Sequence, residues 1–166
     1  MTPGGSSIPG GSCAAPAAGL GHPARIVARL FLSVFSVGTR HVCGVRADGQ
    51  LWCFGGNANG QLGNGTTVSA ASPVRAGSDS DWLRVAVGDD HTCAIKCDGS
   101  LWCWGDPFFG ELGVGTPPAD TTSPLRVGVD NDWWIVTAGQ WFACALKTSG
   151  QLWCWGDNEL GQVGTA

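Results

Sequence analysis

Three stretches of the chain share one alternation of apolar and polar positions. Cys43 to Gly55 reads CGVRADGQLWCFG, Cys93 to Gly105 reads CAIKCDGSLWCWG, and Cys144 to Gly156 reads CALKTSGQLWCWG. In each, two short runs rich in β-branched and large apolar residues flank a turn with Gly at a fixed place: Ala47-Asp48-Gly49, Cys97-Asp98-Gly99 and Thr148-Ser149-Gly150. This pattern predicts β-hairpins. A three-residue connection made of a type I turn and a left-handed Gly fixes their register. In the middle copy Lys96 then faces Ser100, Ile95 faces Leu101, Ala94 faces Trp102 and Cys93 faces Cys103. The outer copies set Cys43 opposite Cys53 and Cys144 opposite Cys154.

Side chains alternate across a strand, so this register sorts each hairpin into two faces. One carries Cys93, Ile95, Leu101 and Cys103, with Cys43, Val45, Leu51, Cys53 and Cys144, Leu146, Leu152, Cys154 as counterparts. The other sets Gly44 against Trp52, Ala94 against Trp102 and Ala145 against Trp153. Both faces are apolar near the outer strand ends, which predicts sheets packed on each side by another sheet, large residues into small.

The hairpins belong to a longer unit. Gly38, Gly88 and Gly139 precede them at intervals of 50 and 51 residues, a period expected of an array or a propeller. Each hairpin is followed by a Gly-rich loop: GGNANGQLGNGT from Gly55, GDPFFGELGVGT from Gly105, GDNELGQVGT from Gly156. Ser-Pro and a strand-like segment come next, and Asp81-Trp82 and Asp132-Trp133 open the following repeats. The run Ile26 to Val37 aligns with the start of a repeat and is expected to supply a strand, with a short helix as the alternative for its first half. Residues 1–24 are Gly, Pro, Ala and Ser with almost no large apolar side chain, so they are expected to form a disordered leader; they lack the basic start and apolar run of a secretory signal.

Composition narrows this picture. The chain has 166 residues, 43% hydrophobic and only 13% charged, with Gly 27, Trp 9 and Tyr 0. Many tight turns with bulky plugs between sheets fit that usage better than helices do. A net charge of −4, with nine Lys and Arg scattered over all repeats, leaves no electrostatic footprint for nucleic acid.

The combined pattern, Gly-x2-His-x-Cys, Asp-Gly-x-Leu-Trp-Cys-Trp-Gly, Gly-Gln-Leu-Gly-x-Gly-Thr and Ser-Pro, resembles the repeat of the regulator of chromosome condensation family. It covers roughly residues 32–166. The resemblance implies an all-β fold, a partial β-propeller of about three four-stranded blades where the family ring usually has seven. It divides the chain into a leader at 1–24, repeat 1 at 25–81, repeat 2 at 82–132 and a truncated repeat 3 at 133–166. About two and two-thirds repeats are expected to be a fragment of a longer ring, or else to close it by self-association. The Cys-bearing hairpins are most similar to the bacterial, secreted branch. Founding members exchange nucleotide on a small GTPase through an inserted wedge, and no such insertion is visible here.

Candidate chemistry is sparse. The register brings Cys43 and Cys53, Cys93 and Cys103, and Cys144 and Cys154 to about 4.5 Å between Cα atoms, near the lower edge of disulfide geometry. Disulfides would place the protein outside a reducing cytosol; free buried thiols are the alternative. Cys13 and Cys97 are left over, and Cys97, in a turn, is expected to be an exposed thiol. His91, Cys93, Cys97 and Cys103 lack the tandem pairs of a structural zinc site, so no metal is expected. His41 and His91 give way to Phe142 in the third copy, which points to structural hydrogen bonding. Asp48, Asp98, Asp106 and Asp157 read as turn formers. No nucleophile–base constellation appears, and no enzyme, cofactor or membrane span is expected. The remaining variation lies in the loops, where Asn57, Asn59, Pro107, Phe108, Phe109, Asn158 and Glu159 are the candidate contacts for a protein partner. For Phe108 and Phe109, folding back onto the blade is an equal alternative. The expected function is a non-enzymatic, extracytoplasmic protein-binding scaffold, with regulation of a small GTPase as the alternative.

Overall fold

The structure is a computed structural model that describes residues 32–116, 118 and 121–164. The leader at 1–24 and the first half of the Ile26 to Val37 run, where a short helix was the alternative, lie outside the described residues.

The first sheet is an antiparallel meander of β1 (Leu32–Val37), β2 (His41–Arg46), β3 (Leu51–Gly55) and β4 (Ala70–Arg75). The second repeats it with β5 (Trp82–Val87), β6 (His91–Lys96), β7 (Leu101–Gly105) and β8 (Leu125–Arg126). The third has β9 (Trp133–Ala138), β10 (Phe142–Lys147) and β11 (Leu152–Gly156), three strands among the described residues. The part of the Ile26 to Val37 run that is described is a strand, as the repeat alignment requires.

The hairpin register is the expected one: Cys93 pairs with Cys103, Ala94 with Trp102 and Ile95 with Leu101, and the outer hairpins match. Gly49, Gly99 and Gly150 close the turns at φ between 77° and 87°, where any other residue would be strained. A feature the alternation alone does not reveal is a bulge near the start of the first strand, between Trp82 and Arg84 in the second sheet. It places Trp82 opposite Lys96 and so turns the indole to the same face as Val85 and Ala94.

Each sheet therefore has a leading face, which carries the cysteines, and a trailing face, which carries the tryptophans. In the first junction Cys43, Val45, Leu51 and Cys53 of the first sheet pack against Trp82, Val85, Val87, Ala94 and Trp104 of the second. In the second junction Cys93, Ile95, Leu101 and Cys103 pack against Trp133, Val136, Ala143, Ala145 and Trp155. The middle sheet is covered on both sides, and every residue of β6 is buried. These are propeller blades stacked in sequence, with the core lying between sheets.

A loop rim and repeated clamps form the candidate functional site

The meander divides the loops between two rims. One gathers the β1–β2 type turns with the long Gly-rich loops, joined by backbone bonds from Gly56 to Arg40, Asp106 to Asp90 and Asp157 to Trp141. The opposite rim gathers the hairpin turns with the links between sheets, as in Trp82 N–H to the Gly49 carbonyl and Trp133 N–H to the Gly99 carbonyl.

All the candidate contact residues lie in loops of the first rim, but they do different things. Asn57 is 0% exposed. Its Oδ1 accepts from Leu62 N–H at 2.9 Å, and its Nδ2 donates to the carbonyls of Thr66 and Val68. It holds its own loop together and presents nothing to a partner. Asn158 repeats this with Val163 N–H and the Gly164 carbonyl, nearer the surface. Asn59 reaches across to Asp106 at 3.4 Å. Glu159 is exposed, as a turn residue whose N–H donates to Asp157.

The middle loop departs from its neighbours. Pro107 replaces the loop-holding Asn, and the next two residues are aromatic. Phe108 is 80% exposed and meets Phe109 edge-on, with ring centroids 4.9 Å apart. Phe109 in turn stacks on Trp141 of the third sheet at 5.1 Å and 29°. One ring thus folds back, and it does so to support the other. Trp141 was missed by sequence reasoning; the signal was its position, since Arg40 and Asp90 occupy the same place in the earlier repeats. Those two form an ion pair across the first junction, and Asp90 also accepts from Gln61 Nε2 at 2.8 Å. The aromatic stack replaces this polar contact in the second junction.

Glu111, at the Gln61 position, is the exception to the bland reading of the carboxylates. It is buried, accepts from Phe109 N–H at 2.7 Å, and burial raises its pKa. A carboxyl whose folded pKa is raised favours the fold when protonated and weakens it as pH rises through that value. Glu111→Gln keeps the acceptor and removes the charge. It is therefore expected to raise the thermal midpoint at pH 7, by up to about 1 kcal/mol of stability after allowing for solvent on one side of the loop, and to change little at pH 4. An unchanged or lowered midpoint at pH 7 would count against a buried charge at this position.

The two histidines differ from each other: His41 makes the structural hydrogen bond expected of it and His91 does not. His41 Nε2 lies 2.7 Å from Thr92 Oγ1, whose hydroxyl donates to the Gln61 carbonyl at 2.8 Å, so the bond crosses to the next sheet. His91 is buried with neither ring nitrogen hydrogen-bonded, which corrects the hydrogen-bonding role expected of it. The cause is Ala143, which stands in the third sheet where Thr92 stands in the second. Burial lowers the pKa of both to about 4, His41 with help from the field of His91.

On the opposite rim a second constellation repeats. Lys96 Nζ lies 4.9 Å and 4.7 Å from the ring centroids of Trp82 and Trp102, and 2.5 Å from Asp79 and 3.3 Å from Asp81. Lys147 sits likewise between Trp133 and Trp153, with Asp130 and Asp132. Burial opposes the charge on Lys96, and the two carboxylates outweigh it, so its pKa rises. This arrangement clamps the turns of the second and third hairpins to the links that precede their own sheets; both ammonium groups are saturated by their own protein.

The three cysteine pairs stand at disulfide distance, with Cα atoms 4.1, 4.1 and 4.0 Å apart, somewhat closer than the ideal ladder spacing. Cys97 is itself disulfide-bonded, which corrects the expectation of an exposed thiol there; Cys13 lies outside the described residues. Among the described residues no group of three or more His, Cys, Asp or Glu side chains is placed to hold a metal ion, and no helix is long and apolar enough to cross a membrane.

Comparison with known proteins agrees with this architecture. Among curated proteins no relative matches the chain. Solved structures do. Yeast RCC1 (Prp20) bound to Kap60 is 23% identical, with a TM-score of 0.73 over 86% of this chain and 33% of that one. Prp20p from Saccharomyces cerevisiae, described with its binding to Gsp1p and histones, is 24% identical, with a TM-score of 0.73 over 85% of this chain and 34% of that one. Human WBSCR16 is 23% identical, with a TM-score of 0.70 over 81% of this chain and 36% of that one. The chain thus spans about a third of the length of these structures. The family described as Regulator of chromosome condensation (RCC1) repeat matches residues 48–95 in one form. In a second form it matches residues 34–61, 83–111 and 135–162, one match on each sheet. With the repeat found three times over more than half its length, and with the blades of solved members reproduced in order, the chain belongs to the regulator of chromosome condensation (RCC1) repeat family.

Proposed function

We propose that this protein is a non-enzymatic, extracytoplasmic β-propeller scaffold that binds a protein partner through the rim bearing the Gly-rich loops. The observation that carries the reading is the aromatic projection on that rim. Phe108 is exposed on a base of Phe109 and Trp141, so a large apolar ring is held in solvent by two others. A rigid aromatic anchor of this kind supplies contact area at a low entropy cost. Asn59, Pro107, Asn158 and Glu159 lie in the loops of the same rim. The cysteines support the extracytoplasmic reading: three pairs stand at disulfide distance, an arrangement suited to an oxidising environment.

The test is a photo-crosslinking amino acid placed at position 108, with position 129 as control. Val129 is equally exposed but sits on the opposite rim, beside the link held by Arg126. A discrete adduct from 108 and none from 129, in the native compartment, is the expected result. Equal labelling from both positions would remove the rim assignment. The compartment has its own readout: trapping thiols before lysis should leave Cys43, Cys53, Cys93 and Cys103 unmodified, and their quantitative alkylation would overturn the extracytoplasmic reading.

A further inference from the structure

The loop rim and the hairpin-turn rim differ in charge. Asp89, Asp90, Asp106, Glu111, Asp157 and Glu159 lie on the loop rim with a single Lys or Arg among the described residues, Arg40, which Asp90 already takes. The other Lys and Arg side chains of the described residues lie toward the hairpin-turn rim, where carboxylates answer them: Arg46 with Asp48, Lys96 with Asp79 and Asp81, Lys147 with Asp130 and Asp132. The excess negative charge of the described residues therefore gathers on the loop rim.

These carboxylates crowd the loop that carries the aromatic stack. Asp106 Oδ1 accepts the Phe108 N–H at 3.0 Å and Glu111 Oε2 accepts the Phe109 N–H at 2.7 Å, so the two acids flank the two rings along the chain. Asp157 donates from its N–H to the Trp141 carbonyl at 2.9 Å, on the third-sheet side of the stack. Burial raises the pKa of Glu111, and the fields of Asp106 and Asp90 add to it. On the opposite rim the same ingredients hold a cation: Lys96 Nζ lies 4.9 Å and 4.7 Å from the Trp82 and Trp102 rings, with Asp79 and Asp81 beside it. There the chain supplies the ammonium itself. At Phe108, Phe109 and Trp141 the rings and carboxylates are present, and the rim's own cation is held by Asp90 at the first junction.

Resting on the reading that this rim binds a protein, we propose that the partner is basic: a segment of its chain presents an Arg or Lys side chain to the exposed ring of Phe108, among Asp106 and the neighbouring carboxylates. A cation over an aromatic face is attracted by the ring quadrupole, and carboxylates beside it offset the water it gives up. The same charge turns away partners that present phosphate, nucleic acid and anionic membranes alike. It also steers a basic partner before contact, so association weakens and slows as salt screens it.

The test is calorimetry of the oxidised 166-residue chain with a synthetic hexa-arginine peptide, and with hexa-glutamate as the opposite probe, at about 0.01 M salt where screening is weak. Hexa-arginine is expected to bind with a Kd of about 10–100 μM, and hexa-glutamate not to bind. Phe108→Leu keeps an apolar side chain and deletes the ring. It should weaken hexa-arginine binding about twofold to fivefold, the range of a cation on an exposed ring. Asp106→Asn keeps the acceptor for the Phe108 N–H and should weaken it by about the same factor. Asp48→Asn makes the same charge change on the hairpin-turn rim and should leave it unaltered. Failure of hexa-arginine to bind overturns the proposal, as does equal weakening by Asp48→Asn, or a Phe108→Leu or Asp106→Asn variant that binds like wild type. Crosslinking at position 108 separates this outcome from the reading beneath it. An adduct there without hexa-arginine binding leaves the rim as the partner site and gives the partner another chemistry; loss of both removes the rim itself.

Discussion

Taking the pH from 7 to 4 is expected to destabilise the fold by about 3 kcal/mol through each of His41 and His91. In the unfolded chain an imidazole accepts its proton near pH 6.5, while in the fold both are held neutral down to about 4. Between those values the unfolded state binds more protons than the folded one, so stability rises with pH across that window. The contribution is complete above pH 6.5, is lost progressively as pH falls, and reaches its floor near pH 4. At about 1.4 kcal/mol for each tenfold change in proton affinity, two histidines carry a loss comparable with the whole stability of a marginal domain, about 5 kcal/mol. Asp89 and Asp90 lie nearby and their fields oppose the depression, but burial outweighs them. The repeat supplies its own control. Phe142 fills the same position in the third sheet, so His91→Phe places there a ring this architecture already accommodates. Urea midpoints of wild type and His91→Phe between pH 7 and 4 should diverge in slope, the variant losing about half the dependence. Parallel curves would mean that the acid sensitivity arises elsewhere.

Trp104→Ala is expected to cost about 3–5 kcal/mol, the range for emptying a buried aromatic site. Trp104 is fully buried at the first junction, packs on Trp82 with ring centroids 5.9 Å apart, and donates from Nε1 to the Gln61 carbonyl at 2.9 Å. Trp104→Phe separates the two parts of that loss. It keeps most of the apolar ring and deletes one hydrogen bond, so it should cost about 1–2 kcal/mol, with the freed carbonyl carrying most of the penalty. Gly63→Ala should exceed the Phe variant, because its backbone lies at φ 70° and its new methyl would press on the indole. Denaturant midpoints give the order directly. A Trp104→Ala variant within 1 kcal/mol of wild type would show that the sheets are joined mainly by the aliphatic and cysteine contacts.

Much of the architecture was legible because each signal occurred three times. The turn glycines set the register, the register set Cys opposite Cys, and the alternation set both faces of each hairpin. The resemblance to a propeller family added only how such sheets are stacked. What escaped notice depends on residues far apart in the chain. The bulge beside Trp82 shifts one side chain between faces and leaves no mark in the alternation. Lys96 and Lys147 look like ordinary charged residues before a turn until Trp82 and Trp133 are brought over them, although the recurrent Asp pairs 79 with 81 and 130 with 132 were a visible trace. Asn57 looked like a loop-tip contact because its loop differs in sequence from the corresponding loops of the other repeats. It is buried because the loop folds around it. His91 was misjudged for a different reason, since its missing partner is a property of Ala143 in another repeat. Trp141 was overlooked because a residue that breaks a repeat pattern is easily treated as drift, when at an interface it can mark a change of chemistry.

The three cysteine pairs each join residues separated by 10 positions, always across one hairpin. This has a consequence for how the chain is made. Closing so short a loop takes about 10–100 ns, so the two thiols of a hairpin meet at high effective concentration as soon as that segment is free of the machinery that delivers it. Oxidation of one blade need not wait for another, and in the first and third hairpins the correct partner is nearer along the chain than any other cysteine, whereas Cys97 lies nearer to both Cys93 and Cys103 than they lie to each other. The bonds within the first and third hairpins can thus be set in the order of synthesis, before the blades stack.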